Sequence, residues 1–197
     1  MSDDKLIAGD ELEVAIEELG IDLGKLVSMT GVWANPETFR HLRKIHDDGT
    51  WHPNCRRYQQ AKGEKRREIV DGIKLDDNTF ANAAIKEAVG YARKDVVGYH
   101  VSHVWPLTCY DHRYHTCIAN LVLLPAPIAG LSDYDSGIEE ILKFRAYDLF
   151  GWHPGKEQPP QRPINYPDGK FWRPPPAFTE GVKKKLNRLA TKVAVRG

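Results

Sequence analysis

Apolar residues recur along this chain at two periods, and the change between them divides it. Over residues 10–20, Leu12, Ala15, Ile16 and Leu19 fall three or four apart among acidic neighbours and Gly20 follows, which predicts an amphipathic helix and its stop. Asn35-Pro36-Glu37 predicts another helix start, because Asn can cap and Pro is tolerated at the first helical position. That helix would turn Phe39, Leu42 and Ile45 inward and Arg40, Arg43 and Lys44 outward. Residues 47–63 read as a polar loop around Trp51 and Pro53, and residues 67–75 as a short strand broken at Gly72. Asp76-Asp77-Asn78 then offers caps for a helix reaching about Val89.

The centre is strand-like. Residues 96–104 are rich in β-branched and aromatic side chains, and a second apolar run at 118–124 follows a polar stretch. Alternation in a strand sets His100 and Ser102 on one face and Val101 and His103 on the other. Ser136-Gly-Ile-Glu139 has capping-box spacing and predicts a helix to about Phe150, closed by Gly151. Residues 154–176 hold eight of the thirteen prolines, which predicts an extended wrapping segment. Phe178, Val182, Leu186, Leu189 and Val193 restore the helical period, and Trp105 and Trp152 are expected in the core. With no internal repeat, the expected class is α+β with one small antiparallel hairpin. It divides into an acidic helical segment (1–34), an α+β core (35–153), and a Pro-rich wrap with a basic C-terminal helix (154–197).

Length and composition narrow the classes. A chain of 197 residues with 41% hydrophobic and 10% aromatic residues can bury a real core, and its 28% charged fraction excludes an integral membrane protein. The longest apolar run, residues 118–131, contains Asn120, Pro125 and Pro127 and is too short to span a bilayer. The acidic N-terminus has no apolar run behind it, so no signal peptide is expected. Cys55, Cys109 and Cys117 are sparse and odd in number, which points to a reducing, cytoplasmic setting.

A net charge of +1 conceals an uneven distribution. Residues 1–22 hold eight acids and one base, which leaves 27 bases against 19 acids in the remainder. Arg56, Arg57, Lys62, Lys65, Arg66 and Arg67 fall within twelve residues, and Lys183, Lys184, Lys185, Arg188, Lys192 and Arg196 mark the last helix. Such clusters, together with Arg113, suit contacts to nucleic-acid phosphates; the plainer alternative for each is a solvated helix face.

Chemistry concentrates between Gly98 and Asp135, where four of the eight histidines lie within residues 100–115. Ser102-His103-Val104-Trp105-Pro106 is followed by Asn120-Leu121-Val122-Leu123-Leu124-Pro125, and Asp133 stands thirteen residues after Asn120. In that order and spacing the stretch 99–135 resembles the HNH (ββα-metal) nucleases, closest to the restriction-enzyme branch that uses Ser-His-Ile-x-Pro-Trp. The resemblance covers under a fifth of the chain.

The resemblance implies a ββα-metal core and hydrolysis of phosphodiester bonds in DNA, with a restriction or defence role. His103 would deprotonate water, and Asn120 would fix the hairpin loop and the orientation of His103. A divalent cation, Mg²⁺ or Mn²⁺, would bind the scissile phosphate with Asp133, Ser102 and His100 as candidate ligands. The pattern departs from the family at two ligand positions: Ser102 stands where Asp or His is common, and Ala129 stands nine residues after Asn120, where a helix ligand is expected. His100 or Asp111 could compensate. The alternative is a catalytically degenerate ββα module that binds nucleic acid or another partner. The residues do not separate DNA from RNA, and cutting both strands at once would favour a homodimer.

Cys109, His112, His115 and Cys117 raise a structural zinc as a further reading. Their C-x2-H-x2-H-x-C spacing is too tight for two ordinary ligand pairs, so a polar loop with two plain thiols is the better account.

Overall fold

The computed structural model describes residues 11–46, 49–52, 54–56, 69–70, 73–91, 95–132, 135–155 and 158–194. Among them the chain is α+β, with seven α-helices and two small sheets. The first half runs α1 (Glu11–Glu18), α2 (Leu23–Thr30), α3 (Pro36–Leu42), β1 (Asn54–Arg56), β2 (Ile69–Val70), β3 (Ile73–Asp76) and α4 (Thr79–Ala88). The second half runs β4 (Tyr99–His103), β5 (Leu121–Pro125), α5 (Ala126–Leu131), α6 (Ser136–Phe150) and α7 (Glu180–Ala194), with short 3-10 turns at Pro106–Tyr110, Ile118–Asn120 and Gly169–Phe171.

The central hairpin pairs β4 with β5 antiparallel, from Tyr99 opposite Pro125 to His103 opposite Leu121. The other edge of β5 is occupied too: Val32 N–H donates to Leu123 O at 2.9 Å, and Leu123 N–H returns a bond to Val32 O at 3.0 Å. A strand covered on both edges and both faces reads as a continuous apolar run, and Leu121, Val122, Leu123 and Leu124 are all fully buried. α5 packs back across both strands, and α4 lies against them as well. The second sheet has the order β1-β3-β2, with β1 parallel and β2 antiparallel to β3.

Around the hairpin, Trp33, Phe39, Leu42, Ile85, Ile138, Ile141 and Leu186 fill the core at 2% exposure or less. Trp105 and Trp152 are both buried and meet edge-on at 5.3 Å. The proline segment runs extended over this core. Arg173 N–H donates to Ser28 O at 2.9 Å and Asn35 Nδ2 donates to Pro176 O at 3.0 Å, while the Tyr166 ring meets Phe144 at 4.8 Å. Among the described residues no helix is long and apolar enough to cross a membrane.

Several local expectations change. The polar loop at 47–63 contains β1 and the fully buried Trp51. Residues 67–75 supply two strands, β2 and the start of β3, so there are two sheets rather than one hairpin. α6 is capped by Asp135, whose carboxylate accepts from Gly137 N and Ile138 N, and not by Ser136. Asn78 precedes α4 but makes no capping bond, because it sits in the left-handed region at φ 75°. Leu19, just past α1, is 73% exposed, while Ile16 packs against the core. Asn35 does cap α3, accepting from Glu37 N at 2.9 Å.

Candidate active site

A cleft of about 260 Å³ opens where β4, α5 and β1 converge; its lining includes Arg56, Asn78, His100, Ser102, His103 and Ala129. The sequence near the site explains the convergence. β4 ends at His103 because Trp105-Pro106 starts a 3-10 turn, and Pro cannot donate to a strand ladder. β1 pairs in parallel with β3, setting Arg56 opposite Asp76, two residues before Asn78. α5 begins directly after β5, so Ala126, Ala129 and Gly130 form the opposing wall.

His103 is fixed from two directions. Its Nε2 lies 3.0 Å from the backbone carbonyl oxygen of His115, and its ring stacks on the His115 ring at 5.1 Å with planes 17° apart. A carbonyl only accepts, so Nε2 carries the hydrogen and Nδ1 is left with the lone pair in the neutral ring. Burial first, then the adjacent His115 ring and, more weakly, the Arg56 guanidinium, lower the His103 pKa to about 3, while the bond to the His115 carbonyl pulls the other way. His103 is therefore a neutral imidazole at physiological pH.

Asn120 is fully buried and ties the loop that follows β4 to the start of β5. Its Oδ1 accepts from Trp105 N at 3.0 Å, and its Nδ2 donates to Thr108 Oγ1 at 2.8 Å and to Tyr114 O at 3.0 Å. Its backbone carbonyl accepts from Val104 N at 2.9 Å. Asn120 thus locks the backbone immediately after His103 and the segment leading to His115. The direct contacts of the His103 ring are with His115, a residue whose contribution rests on a backbone carbonyl and a ring face. No motif encodes those; the only sequence signal was the clustering of histidines.

The remaining candidates separate. His100 is exposed and Ser102 is 7% exposed, and both line the cleft with His103. Asp133 lies outside the described residues, as do Arg57, Lys65, Arg66 and Arg67. Arg56 reaches the cleft beside Cys109, where burial pushes the thiol's pKa up and the nearby guanidinium limits the rise. Arg113 is instead held in the loop. Its Nη2 meets Asp111 Oδ2 at 2.6 Å and its guanidinium lies over the Tyr114 ring, so its charge is matched by a carboxylate. That pairing holds Asp111 below the usual carboxylate range and keeps it away from the cleft lining. Lys184 and Lys185 are exposed on α7, and Lys183 pairs with Glu180 at 3.4 Å.

The resemblance asks for a divalent cation. Among the described residues the cleft offers one imidazole besides His103, one hydroxyl, the Asn78 carboxamide, a thiol and a guanidinium, and no carboxylate. Nor do any three described His, Cys, Asp or Glu side chains gather in a group able to hold a metal. Mg²⁺ and Mn²⁺ prefer hard oxygen ligands, so these residues do not fit them. Cys109, His115 and Cys117 are buried at 3% exposure or less, while His112 is partly exposed beside Asp111.

The cleft's described side chains are donors and neutral groups, an arrangement that receives an anion. Compared with protein-family models, curated proteins and solved structures, the chain matches none of them.

Proposed function

We propose that this chain binds and hydrolyses nucleic-acid phosphodiesters in the manner of an HNH-type endonuclease, with His103 as general base. The chain order of β4, β5 and α5 supports this reading. The observation that carries the reading is the placement of His103, fixed by the bond from Nε2 to the His115 carbonyl, in the same cleft as Arg56. Nδ1 of His103 takes a proton from water, the resulting hydroxide bonds to phosphorus as one P–O ester bond breaks, and the departing alkoxide takes a proton from solvent. Arg56 binds the non-bridging oxygens, as a planar guanidinium does well.

A second reading, binding without cleavage, is favoured by Ser102 and Ala129 standing in the cleft where ligand side chains are expected. The two separate in one experiment. Supercoiled plasmid is incubated with the protein in Mg²⁺, Mn²⁺ or EDTA, and binding is measured in parallel. The nuclease reading expects nicking or linearisation that His103→Ala reduces at least about a hundredfold with binding intact, since general bases contribute roughly 10²–10⁴-fold. Binding with no cleavage in any condition establishes the second reading.

A further inference from the structure

Two basic surfaces that are far apart in sequence meet at a single seam. α7 packs on α3, and His41 Nε2 lies 3.0 Å from Asn187 Oδ1 at their contact. Lys183 and Lys184 stand four and three residues before Asn187 on α7, on its side of the helix, and Arg40, Arg43 and Lys44 stand within three residues of His41 in and just after α3. Arg40, Arg43, Lys44, Lys184, Lys185 and Arg188 are all exposed, whereas Val182 and Leu186 turn into the core. Over residues 36–44 and 180–188 the chain has seven bases and two acids, Glu37 and Glu180, which bridge Arg40 and Lys183.

α4 joins this ridge to the cleft. Asn78, the residue before its first turn, lines the cleft. Gly90, just past its end, lies against α7 so closely that an added Cβ would stand 3.3 Å from Val182. Twelve residue steps at about 1.5 Å each separate the two points by roughly 18 Å. At about 3.4 Å per nucleotide along a strand, that is about five base pairs.

We propose that the α3–α7 ridge is a second nucleic-acid contact, which grips the phosphate backbone beginning about five base pairs from the phosphate held in the cleft. The inference rests on the reading of the cleft above and adds a polarity to it: the protein lies along its substrate in one direction, from His103 toward α7. A duplex long enough to reach the ridge gains affinity that a short one cannot.

The test compares wild type, the ridge variant Lys44→Gln/Lys184→Gln/Lys185→Gln/Arg188→Gln, and the cleft variant Arg56→Gln. Binding to a hairpin with a stem of about four base pairs and to a duplex of about 24 base pairs is measured across a salt series. The ridge variant should bind the long duplex at least about tenfold more weakly, with a log–log salt slope smaller by about three, and should match wild type on the short one. Arg56→Gln should weaken both lengths alike. Equal loss on both lengths by the ridge variant, or no loss on either, overturns the ridge. Competition for DNA by phosphatidylglycerol vesicles as strong as that by unlabelled duplex also overturns it, in favour of a membrane-facing surface. If the ridge variant behaves as expected and Arg56→Gln changes nothing, the cleft reading fails and the ridge remains a nucleic-acid surface. If only Arg56→Gln matters, the ridge fails and the cleft reading stands.

Discussion

The His103 imidazole lies nearly parallel to that of His115, with ring centres 5.1 Å apart, and its Nε2–H points at the His115 carbonyl oxygen 3.0 Å away. One residue thus supplies a ring face that excludes water and an acceptor that selects the tautomer. The ring face and the burial it brings favour the neutral imidazole, the form a general base needs before it takes a proton, while the carbonyl selects its tautomer and offsets part of that shift. The same arrangement ties folding to pH.

His103 changes its pKa from 6.5 to about 3 on folding, so between those values the unfolded chain binds a proton that the folded chain does not. Its contribution to stability is complete above pH 6.5 and is lost as pH falls toward 3. Between pH 7 and pH 4.5 the loss should reach roughly 2–3 kcal/mol, at 1.36 kcal/mol per pH unit below 6.5. Asp111, held below 3.8 by Arg113, acts with the same sign only in more acidic solution, so the two windows separate. Urea titrations of the metal-free protein at the two pH values should show this loss in wild type and its near disappearance in His103→Gln. Equal slopes would mean that His103 is not desolvated as described.

Asn120→Ala should be costly at a distance from any substrate. It strands the buried Trp105 N, at a cost of about 1–3 kcal/mol, and takes one bond each from Thr108 Oγ1, which keeps Trp105 O, and from Tyr114 O, which keeps Cys117 N. A loss of about 2–3 kcal/mol is expected in denaturant unfolding. Cleavage should fall further than the unfolded fraction explains, because the loop that carries His115 is released. A variant with wild-type stability would remove Asn120 from its role as the lock.

How much of this was legible depends on the range of the forces involved. β4 and β5 announce themselves by composition, and Asn120 by its place between a polar loop and a buried strand, since its bonds are to residues within fifteen positions. β1 escapes notice because three residues carry no period, and its partner β3 pairs with it in parallel from twenty residues away. The cap of α6 shifts by one residue because Asp135 and Ser136 are both competent, and only the backbone entry angle chooses between them. The charge of Arg56 is visible in the sequence, but its position in the cleft follows from the β1–β3 register. His115 looks like a candidate zinc ligand; its observed contacts use the ring face and the main chain.

Gly49 is a test of the support behind that loop. Its φ of +69° suits glycine, and a Cβ there would stand 2.2 Å from the Phe39 ring in the core. Its carbonyl accepts from Ile118 N at 3.3 Å, next to the Thr50–Cys117 bridge. Gly49→Ala should therefore lose about 3 kcal/mol, combining left-handed backbone strain with overpacking. The measurement is the urea midpoint. Gly98→Ala is the control: its φ is +76° but nothing lies within 4 Å, so it should cost only the backbone part.

The departures from the HNH pattern can be turned into a gain of function. Ala129 stands in the cleft wall on α5, together with His100, Ser102 and His103, where the resemblance expects a metal ligand. Ala129→Asp would place a carboxylate against an imidazole and a hydroxyl, which converts a donor-lined cleft toward one that holds a hard cation. Without metal the buried charge should destabilise the variant by a few kcal/mol, because a carboxylate at 7% exposure loses its hydration. Added Mn²⁺ should reverse that loss, since a ligand that binds only the folded state stabilises it by mass action. Thermal melts with and without Mn²⁺ give a readout independent of cleavage, and calorimetry should find tighter Mn²⁺ binding than in wild type. If Mn²⁺ neither binds more tightly nor restores the melting temperature, then α5 does not occupy the ligand-bearing position of a ββα-metal site.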